Sequence, residues 1–144
     1  MLRHVAAASA TLDVMAYHLE RESVVSALSD AVGRGVRVRM VLDLRQEDNL
    51  PAAETLRRVG VGLRPVPSRF PHGHAKVLIV DRATALVMSA NLNDWSMETE
   101  WNYALSLHDP GVLAELQAIF DADHAVRAEA PAQLQTAEAE GGPC

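Results

Sequence analysis

The sequence predicts an α/β protein: an α/β/α sandwich in which helices flank a mixed, mainly parallel sheet. Three observations carry this expectation. Apolar periodicity switches repeatedly between 2 and about 3.6 residues, so strands and helices alternate along the chain, the order that gives layered α/β architectures. Glycines and prolines punctuate the periodic segments, among them Gly33, Gly35, Gly60, Pro65, Pro67 and Pro71. The stretch from Val77 to Val80 is wholly apolar, as a central strand covered on both faces must be.

The elements follow in order. Leu2 to Ala10 reads as a helix. Leu12, Val14 and Ala16 alternate with Asp13, Met15 and Tyr17, which gives a strand over Thr11 to His18. Val24, Val25, Leu28, Ala31 and Val32 recur at helical spacing between Glu22 and Arg34, and Gly33 and Gly35 stop that helix. Val36 to Leu42 is a strand. Asp48-Asn49-Leu50-Pro51 reads as a capped helix entry with an early proline, and Gly60 ends the helix. Val61 to Val66 is a short edge strand, and the prolines after it mark a loop that delivers the chain to His72-Gly73-His74. A strand from Lys76 to Val80 turns at Asp81-Arg82-Ala83 and returns over Thr84 to Ser89. Asn91 to Thr99 is a polar loop or short helix, Asn102 to Leu107 a strand, and Pro110 to His124 an amphipathic helix. Residues 1–127 are expected to form one domain, and 128–144, rich in Ala, Glu, Gln and Gly, a flexible tail.

Composition narrows the function classes. The chain has 144 residues, 49% of them apolar, which suits one globular domain. Aromatics make up 4% and the net charge is −6, so a base-stacking surface and a broadly basic nucleic-acid face are disfavoured. The single cysteine, Cys144, excludes an intrachain disulfide or thiolate metal cluster. The apolar run at Val5 to Ala8 is too short for a signal-peptide core, and no stretch is long enough to span a bilayer. The cluster of Arg34, Arg37, Arg39 and Arg45 reads as a solvated basic face.

The chemistry concentrates in His74-Ala75-Lys76 and Ser89-Ala90-Asn91. On a strand, His74 and Lys76 share a face. If Arg82-Ala83 forms a two-residue hairpin turn, Lys76 opposes Ser89 and His74 opposes Asn91, so all four side chains fall on one patch. Ammonium, hydroxyl and carboxamide donors converging on a point suit a phosphate's oxygens, and a histidine beside them is a nucleophile or proton carrier. The pattern holds no metal-ligand spacing, so neither metal nor cofactor is expected.

His74, Lys76, Asp81, Ser89 and Asn91 stand at the offsets of the phospholipase D superfamily signature, which this stretch resembles. Leu12 to Tyr17, Gly33 to Asp43 and Thr99 to Asn102 are similar to further segments of that family, and Ser89 to Met97 is similar to its lipid-acting members. The resemblance implies a two-step displacement at phosphorus. His74 attacks a phosphodiester, Lys76 and Asn91 with Ser89 hold the phosphate oxygens, Asp81 belongs to the supporting network, and Glu100 orients a catalytic histidine. The segment before Glu100 is short, which leaves Glu98 as its alternative. Family members carry two such motifs and this sequence carries one. A homodimer with the site at its twofold, or half of a longer enzyme, follows. Met88 stands where the family has glycine, and the family's first strand, ahead of the first helix, is missing from this sequence. The expected substrate is a phospholipid in preference to nucleic acid, met by a cytoplasmic protein with peripheral membrane contact. A small homodimeric nuclease and an inert half-domain are the competing readings.

Overall fold

The computed structural model describes residues 1–126, so the expected tail at 128–144 lies outside the described residues. Its elements run α1 (Leu2–Ala7), β1 (Thr11–Ala16), α2 (Glu22–Gly33), β2 (Arg37–Leu42), a 3₁₀ turn (Glu47–Asn49), α3 (Leu50–Arg58), β3 (Gly62–Pro65), β4 (Val77–Val80), β5 (Thr84–Met88), α4 (Asp94–Glu98), β6 (Ala104–Leu107) and α5 (Pro110–Ala125). The strands form one sheet in the order β3-β2-β1-β4-β5-β6. β1, β2 and β3 pair in parallel through the crossover helices α2 and α3. Gly35 and Gly60, at φ +88° and +98°, make the left-handed turns that return each helix to its strand. The remaining pairings, β1–β4, β4–β5 and β5–β6, are antiparallel. The sheet is therefore mixed, as expected, but parallel pairing does not predominate. A three-residue turn returns β4 directly to β5, the segment that carries α4 leads from β5 back to β6, and the glycine-closed helices α2 and α3 carry the chain over for a parallel partner.

The strand alternation sorts the core into two layers. Leu12, Val14, Val38, Met40 and Leu78 pack against Val24, Leu28, Ala53 and Leu56 of α2 and α3. Val41, Ile79 and Ala85 face the other way, onto Leu113 and Phe120 of α5. Leu28 and Leu56 are fully buried, and each such side chain contributes roughly 2 kcal/mol. On the α5 face the sheet also buries charge. Arg39 makes a bidentate pair with Asp13 (2.8 and 2.7 Å), reaches Asp121 (2.7 Å), and lies over the Phe120 ring at 4.9 Å. Arg34 donates to the Val5 carbonyl and Arg45 pairs with Asp43. Arg34, Arg37 and Arg45 are exposed, as a solvated face requires, and Arg39 is the member drawn into the sheet. Of the carboxylate partners, Asp13 lies on the neighbouring strand and Asp121 is distant in sequence, while Asp43 stands two residues from Arg45.

The β4–β5 turn corrects the expected register. Val80 pairs with Thr84 and Val77 with Val87, so the turn holds three residues, Asp81, Arg82 and Ala83. Asp81 and Arg82 both take positive φ, 51° and 56°. Lys76 consequently stands opposite Met88, whose N–H donates to the Lys76 carbonyl at 2.9 Å. Ser89 falls beyond the end of β5.

The strained turn is held by one carboxylate. Asp81 accepts N–H bonds from Ser9, Ala10 and Thr11 (2.9, 2.8 and 2.8 Å) and the Ser9 hydroxyl at 2.8 Å. Burial alone would raise its pKa, but the Thr11, Ala10 and Ser9 donors outweigh it and hold the carboxyl at about 2. Asp81→Ala is expected to destabilise the fold by roughly 2 kcal/mol, discounted from the value for buried charged bonds because Ser9 is exposed. The folded pKa is depressed, so this stability is complete above the unfolded carboxylate value of about 4 and disappears as pH falls towards about 2. Thermal unfolding of wild type and variant from pH 6 to pH 2 checks it: the two curves should converge at the acid end.

Candidate functional site

Of the residues singled out from sequence, His74, Lys76 and Glu100 are coupled where β4 begins, Ser89 and Asn91 lie on the segment after β5, and one, Asp81, is an exception at the far end of β4. Lys76 is 4% exposed, and burial pushes its ammonium pKa down while Glu100 pulls it up. Its Nζ lies 3.0 Å from each ring nitrogen of His74 and 3.0 Å from the His74 carbonyl. It therefore donates to whichever imidazole nitrogen is unprotonated. The His74 pKa is lowered, first by burial and then by the positive field of Lys76, His18 and His72. A neutral imidazole keeps a nucleophilic nitrogen, and when its lone pair turns from Lys76 to phosphorus the buried ammonium is left beside the oxygens that gain charge.

Tyr17, just past β1, packs the cluster together. Its ring lies 4.7 Å from that of His74, 4.5 Å from His18 and 6.3 Å from His72, and Lys76 Nζ stands 5.4 Å from its centroid. His18 and His72 thus belong to the surroundings of His74; the place of His18 at the end of the first strand is compatible with lining a cleft, whereas nothing in the sequence context of His72 singles it out.

The His74 loop is positioned from β2. Asp43, fully buried, ends that strand. Its Oδ2 accepts the Gly73 N–H at 2.9 Å, and Arg45 pairs with both carboxylate oxygens. Burial opposes the charged form of Asp43, but Arg45 and the Gly73 N–H outweigh it and lower the pKa. A Cβ at Gly73 would overlap the Val66 side chain, so glycine is required here by space. Asn49, also fully buried, accepts the Leu19 N–H and donates to the Tyr17 and Asp43 carbonyls. The expected capping role of this segment is not found: the Asn49 side chain makes no cap bond to α3. Its amide instead ties together the ends of the two strands that present Tyr17 and Asp43.

The other rim comes from the segment after β5. The Ser89 hydroxyl donates to Asn102 Oδ1 at 2.7 Å and accepts the Tyr103 N–H at 3.0 Å. It is occupied in fastening this segment to β6, and does not face Lys76 as the two-residue turn required. The Asn91 N–H donates to Ser96, while Asn91 Oδ1 is buried without a partner, so the carboxamide retains hydrogen-bonding capacity. Glu100 accepts a short bond from the Ser96 hydroxyl, which, with further bonds to Asn102 and Trp95 and the field of Lys76, lowers its pKa against the effect of burial. Glu98 is drawn away by Arg21 at 2.9 Å, so of the two glutamates Glu100 is the one electrically coupled to Lys76. The exception is Asp81. Its carboxylate clasps residues 9–11 at the far end of β4, and four strand residues at about 3.3 Å each separate it from Lys76. It is a framework residue and does not reach the cluster.

Sequence reasoning passed over Tyr17, Asp43, Asn49 and Gly73. Asp43 alone carried a usable signal: a carboxylate that follows the apolar run Met40-Val41-Leu42 at the end of a strand is buried, and buried carboxylates need partners.

These elements define a class: α/β domains in which one end of the central strands presents a histidine and a buried lysine to an oxyanion. The match to known proteins makes that class specific. Residues 1–124 fit the family model described as "Cardiolipin synthase, PLD-like domain", and the chain belongs to this phospholipase D-like family. Cardiolipin synthase A of Pseudomonas aeruginosa is 33% identical over 113 residues, 76% of this chain and 23% of that protein. The chain thus spans about a quarter of the curated relatives it matches. Nuc from Salmonella typhimurium, a phospholipase D family member, superposes with a TM-score of 0.78 at 25% identity over 85% of this chain and 82% of that one. Phosphatidylserine synthase of Haemophilus influenzae shares the fold, with a TM-score of 0.66 at 14% identity over 85% of this chain and 35% of that one.

Proposed function

We propose that this chain supplies half of a phosphodiesterase site that works through a phosphohistidine on His74, with phospholipids as substrates. The observation that carries the reading is the buried Lys76 Nζ at 3.0 Å from the ring nitrogens of an exposed His74, where desolvation and neighbouring positive charge favour the neutral imidazole. An imidazole nitrogen of His74 attacks phosphorus and the bond to the leaving alcohol oxygen breaks. A second histidine gives that oxygen its proton. The same histidine then takes a proton from water or an alcohol, whose oxygen attacks phosphorus as the P–N bond breaks. Lys76 and Asn91 stabilise the charge on the non-bridging oxygens, and Glu100 orients the histidine of the opposing copy.

The second histidine is assigned to another copy of the chain. The rim beside Glu100 supports this: Trp95, Trp101 and Tyr103 are 69%, 87% and 69% exposed, an aromatic surface suited to cover by a partner. The lipid preference rests on the similarity to cardiolipin synthase A and on a cavity of about 220 Å³ adjoining His74, whose walls include Val41, Val66, Phe70 and Ile119. Among the described residues no helix is long and apolar enough to cross a membrane, and we place the protein at the cytoplasmic membrane surface as a peripheral enzyme.

The test is incubation with phosphatidylglycerol vesicles and, separately, single-stranded DNA, both with excess chelator. Head-group release or exchange from the lipid is expected. Intact lipid across several head groups would overturn the lipid assignment, and cleaved DNA would transfer the same chemistry to nucleic acid.

A further inference from the structure

A second cluster of potential ligands lies on the other side of His18. We propose that His18, Glu20 and Asp48 form a binding site for a first-row divalent cation of the zinc type, separate from the phosphodiester chemistry. One ligand atom from each residue lies within 4.8 Å of the others. The three come from two segments that Asn49 holds together. His18 and Glu20 follow β1, where the Glu20 N–H donates to the Leu92 carbonyl, and Asp48 sits in the 3₁₀ turn anchored by Asn49. Little rearrangement is therefore needed to bring the donors together.

Two further observations point to a cation. The first is His18 Nδ1, which is buried and makes no hydrogen bond. Its neighbour, Glu20 Oε1, stands 3.5 Å away, beyond the 2.7–3.2 Å of an N–H···O bond. Yet a tetrahedral cation with bonds of about 2.0–2.1 Å separates its ligand atoms by about 3.3 Å, so this pair already stands close to the edge of such a tetrahedron. The Glu20 oxygen is also steadied by Asn93 Nδ2 at 3.3 Å. The second observation is the field. An open cavity of about 620 Å³ beside the cluster is lined by Glu20, Glu22, Glu47 and Asp48. Arg21, the cation nearest in sequence, is turned away into pairs with Asp94 and Glu98.

One imidazole with two carboxylates is a mixed nitrogen and oxygen set, which favours zinc, cobalt or nickel over calcium or magnesium. Water completes the tetrahedron. Bound there, the ion would bridge the exit of β1 to the turn before α3, the two segments that Asn49 already links. It would also hold the His18 ring against Tyr17.

The experiment uses the untagged full chain. Equilibrium dialysis against Zn²⁺, Co²⁺ and Mg²⁺ is paired with thermal unfolding and with the visible absorption of tetrahedral Co²⁺. One Zn²⁺ per chain, a raised Tm reversed by chelator, and a Co²⁺ band are expected. His18→Ala, Glu20→Gln and Asp48→Asn should each weaken Zn²⁺ binding on the order of tenfold or more, since each removes a direct ligand. Glu47→Gln, which lines the same cavity, should change it less than about twofold, the screened effect expected of a charge that is not a ligand. The two carboxylate variants lie at the surface and keep the fold testable. Absent stoichiometric binding, wild-type affinity in the three ligand variants, or an equal loss in Glu47→Gln would each overturn the proposal. None of these outcomes depends on phosphodiester activity.

Discussion

Replacing His74 with asparagine is expected to reduce phosphodiester turnover by on the order of a thousandfold or more, because the covalent route closes completely once its nucleophile is gone. The fold should survive. His74 lies in a loop outside the strands, and the Gly73 N–H bond to Asp43 that places this loop comes from the backbone. Brief exposure to a slow phosphodiester followed by denaturation should trap acid-labile phosphate on the wild-type chain and none on His74→Asn. Label persisting on the variant would remove His74 from the nucleophile's role and leave His72 or His18, both in ring contact with Tyr17, as the residues to test next.

Lys76→Met should be nearly as damaging to activity while leaving stability intact. Turnover is expected to fall by about a hundred- to a thousandfold, the range seen when a fixed donor to a developing oxyanion is removed. Methionine fills a similar volume and spares the chain a buried ammonium, so Tm should hold or rise. The pH profile separates this from simple disruption. In the wild type, burial and neighbouring positive charge lower the His74 pKa, so the acid limb of kcat/KM lies below the ordinary histidine value. Removing the Lys76 charge relieves part of that shift, and the limb should move to higher pH. A variant with lost activity and an unmoved limb would mean that Lys76 does not set the charge state of His74.

The architecture was legible in the sequence because periodicity is a local property. Each expected strand and helix occurs, with ends moved by a few residues. Register and pairing were less accessible because they depend on a single turn. Two residues between Asp81 and Thr84 satisfied the parity, but Asp81 itself enters the turn, at positive φ, because three backbone donors near residue 10 reward its carboxylate for being there. That contact spans some seventy residues and leaves no trace in spacing. The same reason hid Asn49, whose partners lie in Tyr17, Leu19 and Asp43. His74 and Lys76 could be found because they are two residues apart on one chain segment. The residues that hold them in place come from the neighbouring strands, and only the folded sheet makes them neighbours.

β1 occupies a particular position in that sheet. Among the described residues it is the only strand joined to both halves, in parallel to β2 and antiparallel to β4. In the half beyond β4 the strands pair in sequence order, β4 with β5 across a three-residue turn and β5 with β6 across the segment that carries α4, without a crossover. The half beyond β2 needs two helical crossovers before its strands meet. The first is quick to close and the second slow. β1 must wait for a strand some sixty residues downstream before its second edge is covered. Its residues should therefore report the late, rate-limiting docking of two preformed halves, with weakened packing at Leu12 or Val14 slowing folding more than equal losses within β5 and β6.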